Sequence, residues 1–534
     1  MNPRYDQHVS HKPTAEDPSP REGGLLVKPR GMSWRDYLVM LLQMGAELEH
    51  GLMVQYLFAA YSLNLSPETD SQRKWVKDWQ DQILTVAREE MGHLLTVQNV
   101  LCFLGGPTTF QRRDFPWDTP FYPFPFQLHR LSRDVLALFV FAEMPDSMLR
   151  LVGNTNVSKS EIARVAHLMM GEDDDLPNDH HRHTRAERLI RHDLTHIQKV
   201  VGPLLDRQGK RPVGEIYQAI LSILADPEKI LDGDLHPESY GYQSSWDDWG
   251  RGYRPAPAAP GTDSPPAGSR KTNVLILRMA TRKEAVDALR EVMGQGEAPD
   301  LKAPGVGDPE LSHFGRFVRI YQQFESGVTE AANEWKPVLE VASNPTVLSE
   351  TANLPQGSHR ITEPNSVRWA QLFNLRYRIL LTYLTHSYRL ARTTDPSQPS
   401  VRGAVLHKAF AEMYNLKAIS GILVQLPLTA FGDSQRAGPP FEMPFSLTLP
   451  EGESECWHLY LDQLSCSLEI SAELLAEYDR GAPMPAEGRD YLAGLRNLDL
   501  QHRDWLLNVS GNSEYPAADI PRPTATHRYP NSRP

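Results

Sequence analysis

Glu90 and His93 stand three residues apart in REEMGHLLTVQNVLCFLGG, a run in which Val86, Leu94 and Val97 recur at helical spacing. Residues three and four apart share one face of a helix, so this carboxylate and this imidazole interrupt an apolar stripe. An ionised carboxylate on a core face is costly unless it is paired or bound to a metal. The intrusion recurs twice. Glu49 lies between Leu42 and Tyr56, each seven residues away and on its side of the helix, and Glu143 follows Phe139 and Val140 by about one turn. An acid at a helix C-terminus, where Pro145 places Glu143, is disfavoured by the helix dipole and calls for a reason.

Carboxylates brought to an apolar region by successive helices, one followed by a histidine, match a carboxylate-bridged two-metal site in a four-helix bundle. Such sites take a Glu from each of two helices and a Glu-x-x-His pair from each of the other two. Oxygen-rich donors with one or two imidazoles suit iron or manganese. The remaining ligands should come from a fourth helix. Glu297 in MGQGEAP competes there with Glu310 and His313 in PELSHFGRF, and Glu215 is a further alternate. The reading without metal is a buried, hydrogen-bonded polar pair that sets helix register. Glu47, on the far side of the same helix, is the alternate to Glu49 as ligand, and His50 is expected to pack or to support a ligand. Tyr56 is either a redox or gating residue or plain core. His180, His181, His183, His192 and His196 are more conspicuous, but Asp173–Asp175 and Arg182, Arg185, Arg188 and Arg191 surround them. That segment is expected to be a solvated insert.

The elements that must position these residues follow from periodicity and breakers. Helices are expected from Trp34 to about Leu63, from Gln72 to Leu104 and from Ser132 to Glu143. Gly105-Gly106-Pro107 ends the second and Pro145 the third. Further helices are expected over Ala186–Leu205, from Val213, over Thr281–Met293 and from Glu310, then over 366–391, 403–425, 456–478 and 487–508. Asn273–Met279 reads as a short strand, and Phe110–Gln127, dense in aromatics and prolines, as an ordered loop laid over the bundle, with a substrate pocket beneath it as one use. Residues 1–30 and 511–534 are expected to be loose, with inserts at 171–185 and 251–270. The domains are then 31–330, a metal-binding bundle, and 366–510, a second helical domain. The fold class is mostly α.

Composition narrows the function. The 534 residues carry 55 Lys+Arg against 67 Asp+Glu, a net charge of −12. With no long basic run, this argues against an electrostatic grip on nucleic acid or anionic lipid. Three cysteines, Cys102, Cys456 and Cys466, form no Cys-x-x-Cys pair, which removes disulfide scaffolds and ribbon-type zinc sites. No apolar run is long enough to span a membrane. The N-terminal stretch has no apolar region of secretory type, so a cytoplasmic location is expected. No phosphate-cradling glycine loop or Ser-His-Asp arrangement is visible.

LEHGLMVQYLFAAYSL and REEMGHLLTVQNVLCFLGG resemble the first two helices of ferritin-like proteins, including Glu49 with Tyr56 seven residues on and the Glu-Glu-x-x-His at 89–93. More closely, the chain resembles the ferritin-like domain of the iminophenyl-pyruvate dimer synthase family of bisindole pathways. LALFVFAEMP, VGEIYQAI, MGQGEAP and SHFGRF carry this likeness in order, and FNLRYRILLTYL and AGPPFEMPFSLTLP extend it to about residues 25–450. The resemblance implies a ferritin-like four-helix bundle with Glu49, Glu90, His93, Glu143, Glu297 and His313 as metal ligands, and Glu90 and His93 central to catalysis. It implies two iron ions, or iron with manganese, using O2 or peroxide. The implied reaction is oxidation or oxidative coupling of a small aromatic amino-acid-derived substrate in secondary metabolism. A homo-oligomer is compatible with this reading. The chain is much shorter than those synthases and carries its own inserts, so the likeness bears on the site more than on the substrate. The rival expectation is a ferritin-like storage or metal-free scaffold protein without turnover.

Overall fold

The computed structural model describes residues 27–510 apart from 67–68, 120, 150, 153–155, 171–179, 206–212, 246–247, 249–273, 297–311, 331–335, 350–351, 393–399, 431–433 and 444–446. Residues 1–26 and 511–534, the 251–270 linker, most of the 171–185 insert, Glu297 and Glu310 therefore lie outside the described residues.

The fold is mostly helical. Helices α1 (Trp34–Tyr61) and α2 (Asp70–Phe103) run alongside each other as the longest packed pair of the first half. Ser33 caps α1, and Thr69 with Gln72 forms a capping box on α2, so the first orphan backbone N–H groups are satisfied. Helix α3 (Arg133–Ala142), capped by Ser132, ends at Glu143. A single turn, α4 (Asp146–Leu149), and helix α5 (Lys159–Met170) follow.

The expected helix over 186–205 is interrupted. It is built from α6 (His180–Arg188), a π-helical turn at Leu189–Asp193 and α7 (Leu194–Leu205). The wider turn sets His192 and His196 in different surroundings, although they are four residues apart. His192 is exposed, whereas His196 turns inward to Tyr321 and Asp134, with Nδ1 2.9 Å from the Tyr321 hydroxyl.

Helices α8 (Val213–Leu224), α9 (Arg282–Gln295) and α10 (His313–Glu330) complete the first unit. Within it α3 packs on α10, α1 on α8, and α2 on both α9 and α10. The four helices that face one another around the buried carboxylates are α1, α2, α3 and α10. Tyr56, Phe139 and Phe317 pack ring on ring at their centre, 4.8–5.2 Å apart.

The expected strand at 273–279 is not a strand. Residues 274–279 run extended along α2 without joining a sheet. Gly92 permits the approach, because a Cβ there would lie 2.8 Å from Leu275 O. Side chains of α2 replace the missing sheet partner. Thr96 Oγ1 donates to Leu275 O at 2.9 Å and accepts from Leu277 N at 3.1 Å, and Asn99 Nδ2 donates to Leu277 O at 2.8 Å. An extended apolar run needs its backbone groups paired, but not by another strand. Among the described residues the strands are β1 (Pro345–Thr346) and β2 (His359–Arg360), a two-residue parallel pair.

The aromatic segment is an ordered cover, as its composition predicts. Phe126 stacks on Trp117 at 4.3 Å and on Tyr122 at 4.1 Å, and presses on Gly51 of α1, where a Cβ would come within 2.8 Å of its ring.

Helices α11 (Pro364–Ser387), α12 (Val401–Leu423), α13 (Glu453–Asp479) and α14 (Ala486–Ser510) form the C-terminal helical region, within a few residues of the expected spans. Buried Arg376 ties them together. It donates to Glu412 Oε1 at 3.1 Å, to Ser467 Oγ at 2.7 Å and to the Asp499 carboxylate. The two helical regions meet where His50 of α1 contacts Tyr377 of α11, whose hydroxyl also accepts from Arg112 at 3.1 Å. His50 thus packs away from the carboxylate cluster, and Glu47 accepts the Arg113 backbone N–H at 3.0 Å on the outer side of α1.

Candidate metal centre

Four helices deliver five side chains to one buried volume. Helix α1 brings Glu49, α2 brings Glu90 and His93, the end of α3 brings Glu143, and the first residue of α10 brings His313. None is more than 2 % exposed. Glu49, Glu90 and His93 form one group of converging donor atoms, and Glu90, Glu143 and His313 form a second.

Glu90 belongs to both groups by geometry. Its Oε2 lies 3.0 Å from His93 Nδ1, and its Oε1 lies 3.0 Å from His313 Nδ1. Glu49 Oε2 is 3.5 Å from His93 Nδ1, and Glu143 Oε2 is 3.6 Å from His313 Nδ1. The imidazoles stack with centroids 5.5 Å apart. Each half therefore has one histidine, one terminal carboxylate and one oxygen of the shared Glu90.

The outer atoms of these side chains are all held. His93 Nε2 lies 2.9 Å from Gln295 Oε1, and His313 Nε2 lies 2.9 Å from Glu89 Oε2. Glu89, wholly buried, also accepts from Arg316 at 2.6 Å. With each Nε2–H donated outward, each Nδ1 lone pair is directed to the centre. The Tyr217 hydroxyl donates to Glu49 Oε1 and the Tyr56 hydroxyl to Glu143 Oε1, leaving both Oε2 atoms inward.

The inward atoms are a donor set that fits cations. His313 Nδ1 and Glu143 Oε2 are buried without a hydrogen-bond partner, although carboxylate and imidazole lie close by. Donor atoms at right angles around a cation with bonds of about 2.1 Å stand about 3.0 Å apart, the spacing of the two Glu90 contacts, while Glu49 and Glu143 stand somewhat farther from their histidines, at 3.5 and 3.6 Å. Gly296, just beyond α9, keeps the space open. A Cβ there would fall 3.7 Å from Glu143 Oε2, His313 Nδ1 and His93 Cε1 alike. The donor set of carboxylates and imidazoles without a thiolate suits iron or manganese.

Proton affinities follow from this crowding. Burial, reinforced by the Glu90 charge, pushes Glu49 up to about 8. Burial would also raise Glu90, but His313 and His93 outweigh it and hold Glu90 below the ordinary carboxylate range. Burial would lower both histidines, yet hydrogen bonds and charge from the carboxylates raise His93 to about 10 and His313 well above its ordinary value. The metal-free cage thus keeps protons where cations would sit.

Of the six residues implied by the resemblance, the structure brings together Glu49, Glu90, His93, Glu143 and His313; Glu297 lies outside the described residues. Glu215 is half-buried on α8 and takes no part in either group, whereas Tyr217, two residues on, touches Glu49. Glu89, Arg316, Gln295 and Tyr217 were missed by sequence reasoning. The doubled acid at 89–90 and an arginine one turn after His313 were signals that could have found two of them.

The chain belongs to the ferritin-like family, whose profile matches residues 42–322, just over half of its length. It is similar to dichlorochromopyrrolate synthase of Lentzea aerocolonigenes, with 26% identity over 440 residues. That match takes in 77% of this chain and 36% of the relative, so the chain spans little more than a third of the relative's length. It is also similar to a solved ferritin-like protein from Caulobacter vibrioides, at 14% identity and a TM-score of 0.31, over 72% of this chain and 96% of that one. Among the described residues no helix is long and apolar enough to cross a membrane.

Proposed function

We propose that the chain is a non-haem di-metal oxidoreductase, with two irons or iron and manganese as the resident ions. Glu90 would be shared between them, with Glu49 and His93 to hold one and Glu143 and His313 to hold the other. The observation that carries this reading is the division of the Glu90 carboxylate, one oxygen at 3.0 Å from each histidine. Bound ions of this kind supply Lewis acidity and redox equivalents for the reduction of O2 or peroxide at the expense of a substrate.

The protein's own part is to bind, orient and keep dry. Tyr56 and Tyr217 each fix one oxygen of a terminal carboxylate. Gln295 and Glu89 fix the imidazole planes, and Arg316 balances the charge of Glu89. Burial of every ligand below the bundle surface excludes bulk water, which strengthens each electrostatic interaction within.

The substrate is a small aromatic amino-acid-derived compound of secondary metabolism, oxidised or oxidatively coupled, within the iminophenyl-pyruvate dimer synthase family. Support comes from the quoted motifs and from similarity to a relative whose name is that of a dichlorochromopyrrolate synthase. Residues 31–330 then form the metal-binding unit and residues 366–510 a separate helical unit against it.

Elemental analysis of the purified protein tests this. Two transition-metal ions per chain are expected, lost in Glu90→Ala together with O2-dependent turnover. A chain with no stoichiometric metal, in which Glu90→Ala alters only stability, would be a scaffold instead. A large hollow oligomer loading many irons per chain would be a store.

A further inference from the structure

Tyr321 of α10 is wholly buried, yet its phenol faces a base that reaches solvent. The hydroxyl lies 2.9 Å from His196 Nδ1, and His196 Nε2 lies 3.4 Å from Asp134 Oδ1. Exposure rises outward along this line, to 25 % for the His196 side chain and 69 % for that of Asp134. The Asp134 carboxylate holds the imidazole proton on Nε2, which leaves the Nδ1 lone pair to accept from the tyrosine. Two local features fix the alignment. The π turn before α7 directs His196 inward, and Gln322 Nε2 ties α10 to that turn by donating to buried Asp193 at 2.8 Å. Such turns concentrate at functional sites.

Arg133, next to Asp134, places its guanidinium over the Tyr321 ring at 5.2 Å. A ring that lost an electron and kept its proton would be a buried cation beside that guanidinium, at high cost. Oxidation of Tyr321 must therefore release the proton, and His196 is the base placed to take it. The hydroxyls of Tyr56 and Tyr217 differ, because they donate to terminal carboxylates of the cage and are committed to positioning them.

Tyr321 is also within reach of the centre. It stands eight residues beyond His313 on α10, about 12 Å along the helix axis. Phe317, midway, packs on Tyr56 at 4.8 Å and on Phe139 at 5.2 Å, so buried rings fill the interval. Reduction of O2 to water takes four electrons, of which a pair of divalent ions becoming trivalent supplies two. The others come from substrate or, when substrate is missing, from the protein.

We propose that Tyr321 is a redox-active tyrosine. It gives one electron inward to the O2-oxidised metal pair and its phenolic proton to His196 Nδ1, leaving a neutral tyrosyl radical beside an imidazolium paired with Asp134. No bond but the O–H is broken. The assignment rests on the oxidoreductase reading above and adds the protein's own electron donor and the path of its proton.

Freeze-quench electron paramagnetic resonance of the full-length, iron(II)-loaded protein, mixed with O2 and no substrate, tests it. A tyrosyl signal appears, narrows when the tyrosines are ring-deuterated, and is lost in Tyr321→Phe at unchanged iron content and circular dichroism. His196→Gln keeps a hydrogen-bond acceptor but no base, and it slows the signal about a hundredfold, an effect that a packing role would not give. If Tyr321→Phe does not fold, His196→Gln carries the test. Tyr460 is the control, since it too meets a histidine, His386 at 2.7 Å, that pairs with a carboxylate, Glu453, but among the C-terminal helices. A signal that survives Tyr321→Phe and is lost in Tyr56→Phe or Tyr460→Phe, or one that forms as fast in His196→Gln, overturns the proposal. Iron content separates the two failures. Iron bound without a radical at Tyr321 sinks only the tyrosine. A chain that binds no iron sinks the oxidoreductase, and laser-flash oxidation of that chain by photogenerated tris(bipyridyl)ruthenium(III) then decides the tyrosine: a radical lost in Tyr321→Phe and slowed in His196→Gln sustains it, and none overturns it.

Discussion

Glu89 accepts the Nε2–H of His313 at 2.9 Å while sharing the same carboxylate oxygen with Arg316 at 2.6 Å. The equivalent atom of His93 meets the neutral amide of Gln295. The two halves of the cage are thus built from the same ligands but supported differently, one by a charge and one by a dipole. A carboxylate behind an imidazole raises its basicity and its hold on a cation. Glu89→Gln keeps an acceptor and removes the charge, so the ion at His313 should bind about 10–100-fold more weakly while the other is unaffected. Because Glu89→Gln also strands Arg316, the pair Glu89→Gln/Arg316→Met is the cleaner variant. Two-step metal titration should show one weakened step; two equally weakened steps would deny the asymmetry.

The sharing of Glu90 predicts a stoichiometric split among the other carboxylates. Glu49→Gln should retain one ion per chain, at His313, and Glu143→Gln should retain one, at His93, because each removes a terminal oxygen from a single group. Metal counts of one in each variant, measured after gel filtration, are the expected result. Loss of both ions in either variant would mean that the groups fill only together.

Gly296 offers a test of the empty volume itself. Its Cβ would sit at 3.7 Å from three site atoms, ordinary contact distance, so Gly296→Ala should fold with thermal midpoint nearly unchanged. Gly296→Val, with two further methyl groups, should compete with the ions and cut metal occupancy by at least half. Full occupancy in the valine variant would place the ions elsewhere.

Acid should destabilise the C-terminal region through His502. It is 5 % exposed, and burial, then the charges of Lys408 and Arg376, hold its pKa well below the ordinary value. The unfolded chain takes up this proton near pH 6.5 and the folded chain does not, so stability falls as the pH drops below about 6.5. The folded state is therefore less stable at pH 5.5 than at pH 7.5. Urea unfolding at pH 7.5 and 5.5 should show His502→Gln losing less stability than the wild type on acidification. Equal losses would assign the acid sensitivity to other groups.

Much of this protein is local and was therefore readable along the chain. Helix spans follow from apolar spacing, caps and breakers, and these act over a few residues: Ser33, Thr69 and Ser132 start helices where their side chains reach the next free N–H. The anomaly of Glu49, Glu90, His93 and Glu143 is likewise local, since a charge on an apolar stripe is visible without knowing what faces it. The family follows from the same stretches.

What faces what is not local. His313 Nδ1 points into the cage because Glu89 of another helix takes its Nε2–H, a pairing across 224 residues. Tyr217 reaches Glu49 across 168 residues, past Gly45, which leaves room for its ring. Residues 274–279 have strand composition, but Thr96 and Asn99 of α2 satisfy their backbone instead of a sheet. A π turn decides that His192 faces solvent and His196 does not. That carboxylates and a histidine are buried among helices follows from the residue pattern along the chain. Which oxygen meets which nitrogen emerges only on folding, because it depends on packing between segments far apart in the chain.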